Sequence, residues 1–371
     1  MRTALVYDWL VTMGGGEKTL AAIAEVYPAP IHTLVHNPEK FVGTPFQDQE
    51  VHTSFIQKFP FAKRCYRNYL PFFPLAMEQF DLSDYDLVLS TSHAVAKGVL
   101  TDSHQLHLCY CLTPMRYAWD LTHRYLDGLK GIQKGVAKAA LHYLRNWDIG
   151  SLRRVDHFAS ISHYIAQRIK KVYGRDSHVI YPPVDVEQIL FSDKKEDYYL
   201  AVSRMVPYKR MDLIVEAFSR LPDKKLIVVG DGPEMKKVKA AAKSNVSILG
   251  WQSDEKIREL MSKAKGFLFA AEEDFGIVVV EAQAAGTPVI AFGRGGALET
   301  VTAGQTGLFY DKQDVPSLIA AVQEFEKKEF NPSQIRAHAK KFNRQRFVNE
   351  FTQFVEQKKE QFNEMCHSCR R

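Results

Sequence analysis

The sequence predicts an α/β protein made of two doubly wound parallel-sheet domains, and three observations carry that reading. In the second half of the chain short apolar runs alternate with helix-length segments, the order that lays strands side by side in parallel and covers both sheet faces with helices. At 371 residues the chain is long for one hydrophobic core and suits two. The consecutive prolines of Tyr181-Pro182-Pro183-Val184-Asp185 can continue neither a helix nor a central strand, and a loosely charged stretch at 192–197 follows. The expected division is therefore residues 1–185, residues 186–343, and a terminal helix with its tail over 344–371.

Taken in order, the first domain should hold strands at 3–8, 86–91, 107–111, 157–161 and 178–180. The second should hold strands at 199–202, 226–229, 246–249, 267–270, 289–292 and 307–309, with helices at 210–220, 234–243 and 254–263 between the first of them. The last helical pattern, 344–362, follows the final strand signal and can pack back across the N-terminal domain.

Composition excludes several classes. A hydrophobic share of 46% and a charged share of 25% are those of an ordinary folded protein, not a disordered one. No run of about 18 apolar residues exists to cross a membrane. The chain enters Thr3-Ala4-Leu5-Val6-Tyr7 without the apolar core of a signal peptide, so a cytoplasmic location is expected. Five cysteines show no disulfide framework. Cys366-His367-Ser368-Cys369 is half a zinc site without a second half and reads as a frayed tail. Asp84-Tyr85-Asp86 leads into its strand instead of following it and reads as a turn, so no metal is expected.

The net charge of +6 is mild, but its distribution is uneven. Lys58, Lys63, Arg64 and Arg67 are interleaved with Phe55, Phe59, Phe61, Tyr66, Tyr69, Phe72 and Phe73, with no acid among them. A second basic excess runs through Lys130, Lys134, Lys138, Arg145, Arg153, Arg154, Lys170 and Lys171. Basic residues mixed with aromatics suit an anionic membrane surface, while no nucleic-acid motif accompanies them; a solvated helix face is the plainer alternative.

Ligands of open parallel sheets bind beyond the carboxyl ends of the strands, and candidate residues gather at such ends. Glu272-Glu273-Asp274-Phe275-Gly276-Ile277-Val278-Val279-Val280-Glu281 places two carboxylates eight positions apart across a loop that turns into an apolar helix. If Phe275-Gly276 opens that helix, Glu273 lies ahead of its positive end and Glu281 about two turns in. Each acid alone reads as a surface residue, but Glu281 directly after an apolar run calls for a partner or a ligand. Arg204 at a strand end and Lys209 in the next helix's first turn oppose the helix dipole, a cost that makes sense if they clamp a diphosphate. Gly14-Gly15-Gly16 lacks the dinucleotide and P-loop spacings but permits close approach of backbone to a ligand. His93 follows the 86–91 strand; alone it reads as structural.

Gly14-Gly15-Gly16, His93, Ser203-Arg204 with Lys209, Gly230-Asp231-Gly232-Pro233, and the Glu273 to Glu281 run with Gly286-Thr287-Pro288-Val289 together resemble the retaining family 4 glycosyltransferases of GT-B fold. Cys109-Tyr110-Cys111-Leu112-Thr113-Pro114-Met115-Arg116-Tyr117-Ala118-Trp119-Asp120 and Val179-Ile180-Tyr181-Pro182-Pro183-Val184-Asp185 resemble a branch of bacterial O-antigen and surface-polysaccharide mannosyltransferases, with Leu112 where that branch has His. The resemblance implies two Rossmann-like domains with the donor site in the cleft between them. It also implies roles. Arg204 and Lys209 would hold the donor diphosphate; Glu273 and the amides of Phe275 and Gly276 the donor-sugar hydroxyls; Glu281 the ribose. Trp251 would border the base, His93 would touch the sugar near its reacting carbon, and Gly15-Gly16 would back onto the phosphates.

The expected activity is thus metal-independent, cofactor-free, retaining transfer of a hexose, mannose from GDP-mannose first, to a hydroxyl of a lipid-linked glycan at the inner membrane face. Alternatives are a UDP- or ADP-sugar donor, a GT-B sugar-nucleotide epimerase or pyridoxal-bearing phosphorylase, and a non-catalytic nucleotide-sugar-binding membrane scaffold.

Overall fold

Continuous apolar runs such as Ala4-Leu5-Val6-Tyr7 leave no face for water, and in the computed structural model they lie inside parallel sheets with both faces covered. The structure describes residues 1–368. Residues up to Tyr181, joined by the chain from Phe347 onward, form one compact unit, and Pro182–Arg346 forms a second. The break falls between Tyr181 and the first of the consecutive prolines.

Among the described residues the first unit holds seven parallel strands in the order β3-β2-β1-β4-β5-β6-β7. These are β1 (Thr3–Tyr7), β2 (Ile31–Thr33), β3 (Val51–Thr53), β4 (Leu87–Ser92), β5 (Leu106–Cys111), β6 (His157–Ser160) and β7 (Ser177–Val179). Leu5 sits between Ile31 and Leu89 across three of them. β2 and β3 are absent from the sequence reading: each is three residues long with a histidine at its centre, too short and too polar to register as an apolar run.

The last helix, Arg344–Ser368, belongs largely to this unit, and the reason is a row of phenylalanines. Phe347, Phe351 and Phe354 recur at helical spacing and are almost fully buried. Phe347 and Phe351 meet the Tyr110 ring edge-on at 5.6 and 5.9 Å, and Phe354 stacks on His178 at 5.6 Å. Each buried phenylalanine contributes about 2 kcal/mol. The reading of Cys366-His367-Ser368-Cys369 falls outside the described residues and side chains. No helix among the described residues is long and apolar enough to cross a membrane.

The second unit's sheet is also parallel, in the order β10-β9-β8-β11-β12-β13. Its strands are β8 (Glu196–Val202), β9 (Leu226–Val229), β10 (Val246–Gly250), β11 (Ala264–Phe269), β12 (Val289–Phe292) and β13 (Gly307–Tyr310). Tyr199, Phe218, Val228, Ile290, Leu318 and Phe325 are central to its core. Lys195 ties two helix ends together: its Nζ donates to the carbonyls of Ser262 and Ala285 and to Thr287 Oγ1 at 2.8 to 3.0 Å. A cation at helix C-termini is well placed for their dipoles, although burial pushes its pKa down to about 8.

In both sheets the chain order reverses once, between β1 and β4 and between β8 and β11. Helices leave the two strands toward opposite faces there, so the loops diverge and open a crevice at the strands' carboxyl ends.

One core residue makes the first unit acid-sensitive. His107 is fully buried in β5, with Nδ1 2.7 Å from the Arg154 carbonyl and Nε2 2.8 Å from Ser90 Oγ. A carbonyl only accepts, so Nδ1 carries the proton and Nε2 accepts from the serine hydroxyl. Burial lowers the pKa from 6.5 to about 4. Below 6.5 the unfolded chain therefore binds the proton that the folded state refuses, and stability falls as pH drops from 6.5 toward 4. Thermal unfolding of wild type and His107→Gln across that window should show the variant, though weaker at neutral pH, losing less stability on acidification.

Candidate functional site

In the second unit the candidate residues gather around the switch point between β8 and β11. The chain leaves β8 at Val202, and the buried Met205 fastens the following loop to the turn after β9. Its N–H donates to the Asp231 carbonyl at 2.9 Å, and its carbonyl accepts from Glu234 N–H at 3.0 Å. Arg204 stands exposed between them. Lys209 lies in a single 3-10 turn, Pro207–Lys209, not in the first turn of the helix as the sequence suggested. The helix Met211–Ser219 starts later because Arg210, with a left-handed φ of 53°, turns the chain first. Arg210 in turn donates to Gln313 Oε1 at 3.1 Å, and Gln313 Nε2 donates to the Ala270 carbonyl at the end of β11 at 2.7 Å.

Across the switch point, Lys209 Nζ forms an ion pair with Glu273 Oε1, so the loop after β8 and the loop after β11 are joined by charge. Both side chains are about one-sixth exposed, at 17% and 16%, which leaves the pair open to a ligand. The Tyr208 ring lies 5.4 Å from the same ammonium. The sequence reading gave the two residues to different parts of a ligand; in the structure their side chains meet.

Gly276 caps the helix Ile277–Ala284, and Phe275 before it is buried against the Phe342 ring at 5.6 Å. The amides around Gly276 thus begin the helix, as read from sequence. Glu281, however, stands only four residues beyond Ile277, about one turn in instead of two, because the helix starts after Gly276. Glu281 is partly buried, and Trp251, after β10, is 75% exposed.

Sequence reasoning missed the backing of this loop. Gly296 N–H donates to the Glu273 carbonyl at 2.8 Å. A Cβ on Gly295 would stand 2.4 Å from the Glu273 carbonyl oxygen, and one on Gly296 2.3 Å from Phe275 Cα. Only glycines let the loop after β12 press so closely against residues 273–275. The usable signal was Gly293-Arg294-Gly295-Gly296 directly after an apolar strand.

The first unit has its own construction at the β1/β4 switch point. Asp8, fully buried just past β1, accepts hydrogen bonds from the backbone N–H groups of His93, Ala94, Val95 and Ala96 at 2.6 to 3.0 Å. The same carboxylate lies 3.0 Å from His93 Nδ1. Trp9 meets the imidazole edge-on at 4.5 Å. The turn is also tied down from behind, where Lys97 Nζ donates to the Ala94 carbonyl at 3.0 Å and pairs with buried Asp148. Asp148 accepts from Trp119 Nε1 at 2.8 Å as well.

The Gly14-Gly15-Gly16 turn opens the helix Gly15–Val26. A Cβ on Gly16 would stand 2.5 Å from the Tyr7 hydroxyl and 2.9 Å from Leu112, so Leu112 packs against this turn. Glu17, at the third helical position, reaches back to the Gly14 N–H and accepts from the Tyr7 hydroxyl. Burial raises its pKa, opposed by those hydrogen bonds and the nearby His93. Neither Asp8 nor Glu17 carries a local signal in the sequence: Asp8 merely ends a strand and Glu17 merely follows the glycine turn.

With both crevices described, comparison with known proteins gives the class. The model "Glycosyltransferase Family 4" matches residues 13–188 and "Glycosyl transferases group 1" matches residues 185–346. The chain belongs to the family 4 glycosyltransferases and has their GT-B fold. It is 30% identical over 195 residues to the GDP-mannose-dependent monoacylated alpha-(1-6)-phosphatidylinositol monomannoside mannosyltransferase of Corynebacterium glutamicum, covering 44% of this chain and 51% of that protein. It is 27% identical over 187 residues to the O-antigen chain mannosyltransferase of Salmonella typhimurium, covering 47% and 52%. The match thus spans about half the length of these curated relatives. The solved structure of Anabaena HepE with UDP superposes at a TM-score of 0.70 over 96% of this chain and 100% of that one, at 17% identity.

Asp8→Asn should test the β1/β4 construction. The substitution replaces one accepting oxygen by an N–H₂ facing backbone donors, which should cost about 2 to 4 kcal/mol of unfolding free energy. Denaturant unfolding measures it, and a change under 0.5 kcal/mol (about the spread of a neutral surface substitution) would show that the carboxylate does not hold the turn.

Proposed function

We propose that the protein is a retaining, metal-independent glycosyltransferase that moves mannose from GDP-mannose to a hydroxyl of a lipid-linked glycan. The observation that carries the glycosyl-transfer reading is the Lys209 and Glu273 pair across the β8/β11 switch point, with Arg204 earlier on the same loop as Lys209 and the helix Ile277–Ala284 starting four residues after Glu273. A cation, a carboxylate and a helix N-terminus at one switch point are an arrangement that can receive a diphosphate with its sugar. The mannosyl donor is supported by the two mannosyltransferase relatives.

In this reading Arg204 and Lys209 hold the diphosphate and neutralise the charge that builds on it as the glycosidic bond breaks. Glu273 and the amides of Phe275 and Gly276 hold sugar hydroxyls, Glu281 the ribose hydroxyls, and Trp251 borders the base. Gly15 and Gly16 approach the phosphates, and His93, held by Asp8, touches the sugar near its reacting carbon. The acceptor hydroxyl adds to that carbon on the face the phosphate leaves, and its proton passes to the departing phosphate oxygen. No protein carboxylate forms a bond to the sugar, unlike the paired carboxyls of hydrolases. The setting is peripheral, on the inner face of the cell membrane.

A thermal-shift panel of GDP-, UDP- and ADP-sugars checks the donor, since a ligand at about 100 times its Kd stabilises by about 2.7 kcal/mol. GDP-mannose should shift unfolding most; a larger shift with a UDP-sugar would replace the donor assignment, and no shift with any would end the reading. Arg204→Ala and Lys209→Ala should each weaken donor binding and turnover by about ten- to a hundredfold. Turnover should survive EDTA; recovery only on adding Mg²⁺ or Mn²⁺ would overturn metal independence.

A further inference from the structure

Arg210 carries a cost that its backbone duties do not explain. It sits in the left-handed region, with φ 53° and ψ 37°, where a Cβ is crowded and glycine is not. Its carbonyl accepts from the Leu213 N–H at 3.1 Å at the start of the helix Met211–Ser219, and its N–H closes the 3-10 turn on the Pro207 carbonyl at 3.3 Å. Glycine would make both bonds as well. What only arginine supplies here is the guanidinium.

That group joins separate segments of the second unit. Nη1 donates to Gln313 Oε1 at 3.1 Å and to the Gln313 carbonyl at 3.4 Å, while Nε lies 3.4 Å from Asp212 Oδ1. Asp212 is itself held by Lys237, whose Nζ donates to Oδ2 at 2.8 Å. Gln313 stands between β13 and the helix Val315–Phe325, and its Nε2 carries the connection on to the Ala270 carbonyl at 2.7 Å. Ala270 directly follows β11, three residues before Glu273. One end of this relay is therefore the chain neighbour of Lys209, and the other is the root of the loop that carries Glu273. Lys209 lies in a single 3-10 turn, whose hydrogen bonds are poorly aligned, and a lysine side chain has wide rotamer freedom. Gly295 and Gly296 back Glu273 from one side, and the relay ties the Lys209 turn to the same frame.

We propose that Arg210 and Gln313 are positioning residues for the donor diphosphate: their relay to Ala270 sets how the loop after β8 stands against the loop after β11, and thereby where Lys209 meets the phosphates. The inference rests on the diphosphate reading of the Lys209 and Glu273 pair. In it Arg210 acts through Lys209, because its guanidinium is engaged with Gln313 and Asp212.

The test is calorimetric titration of GDP and of UDP into the full chain and its variants. Arg210→Gly keeps the left-handed turn and removes the guanidinium. Gln313→Leu removes both hydrogen-bonding groups at similar volume, and Gln313→Glu still accepts from Arg210 but has no N–H for the Ala270 carbonyl. Each should weaken nucleoside diphosphate binding by about three- to tenfold, the worth of one or two hydrogen bonds. Arg210→Gly combined with Gln313→Leu should cost no more than either alone, and in a Lys209→Met background Arg210→Gly should change affinity by less than about twofold. A merely structural role would lower the unfolding midpoint without this dependence on Lys209. Wild-type affinity in any of the three single variants would overturn the inference. So would an equal loss from Arg210→Gly with Lys209 present and replaced, which would make Arg210 a direct ligand contact. Wild-type protein that binds neither nucleotide would remove the diphosphate reading itself, whereas tight binding that ignores these substitutions would leave that reading standing.

Discussion

A parallel sheet whose chain order reverses must part its loops at the reversal, and the charges that bridge that parting are what the rest of this molecule serves. In the first unit Asp8 reaches from the end of β1 to four backbone N–H groups of the turn after β4 and holds His93 beside them. In the second, Lys209 on the loop after β8 pairs with Glu273 on the loop after β11. The two bridges differ in exposure. Asp8 is sealed and satisfied by fixed amides, so it fixes a geometry. The Lys209 and Glu273 pair is open to solvent at its edge, so a ligand can share it.

Packing makes these bridges possible at their stated separations. Gly295 and Gly296 let one loop support another at backbone distance, so Glu273 is backed directly by main chain. Lys195 secures the far end of the helix that Gly276 opens. In the first unit Lys97 and Asp148 link the His93 turn to the helix Gly131–Ser151.

Much of this was legible in the sequence. The second unit's strands contain apolar runs bounded by turn residues, whereas the division falls after Tyr181 and not after Asp185. The loop ending in Phe275-Gly276 was readable as a helix start because an apolar run follows a glycine directly. What failed to show were features set by tertiary pairing. β2 is a strand only because β1 offers it an edge, and β3 only because β2 does. Asp8 has no local pattern, since its partners lie 85 to 88 residues away. Lys209 and Glu273 were each visible, but not their contact, which depends on strand order and not on spacing. Arg210 displaced the helix start by adopting a left-handed conformation that no propensity favours.

In the proposed function the charges at the β8/β11 switch point act as one device on a donor diphosphate. Calorimetric titration of the nucleoside diphosphate into wild type, Lys209→Met, Glu273→Gln and the double variant tests it most directly. If Glu273 works by holding Lys209 in place for the phosphates, each single change weakens binding and the double change costs about 1 kcal/mol or more less than their sum. Additive losses, or binding untouched by either substitution, would contradict the account.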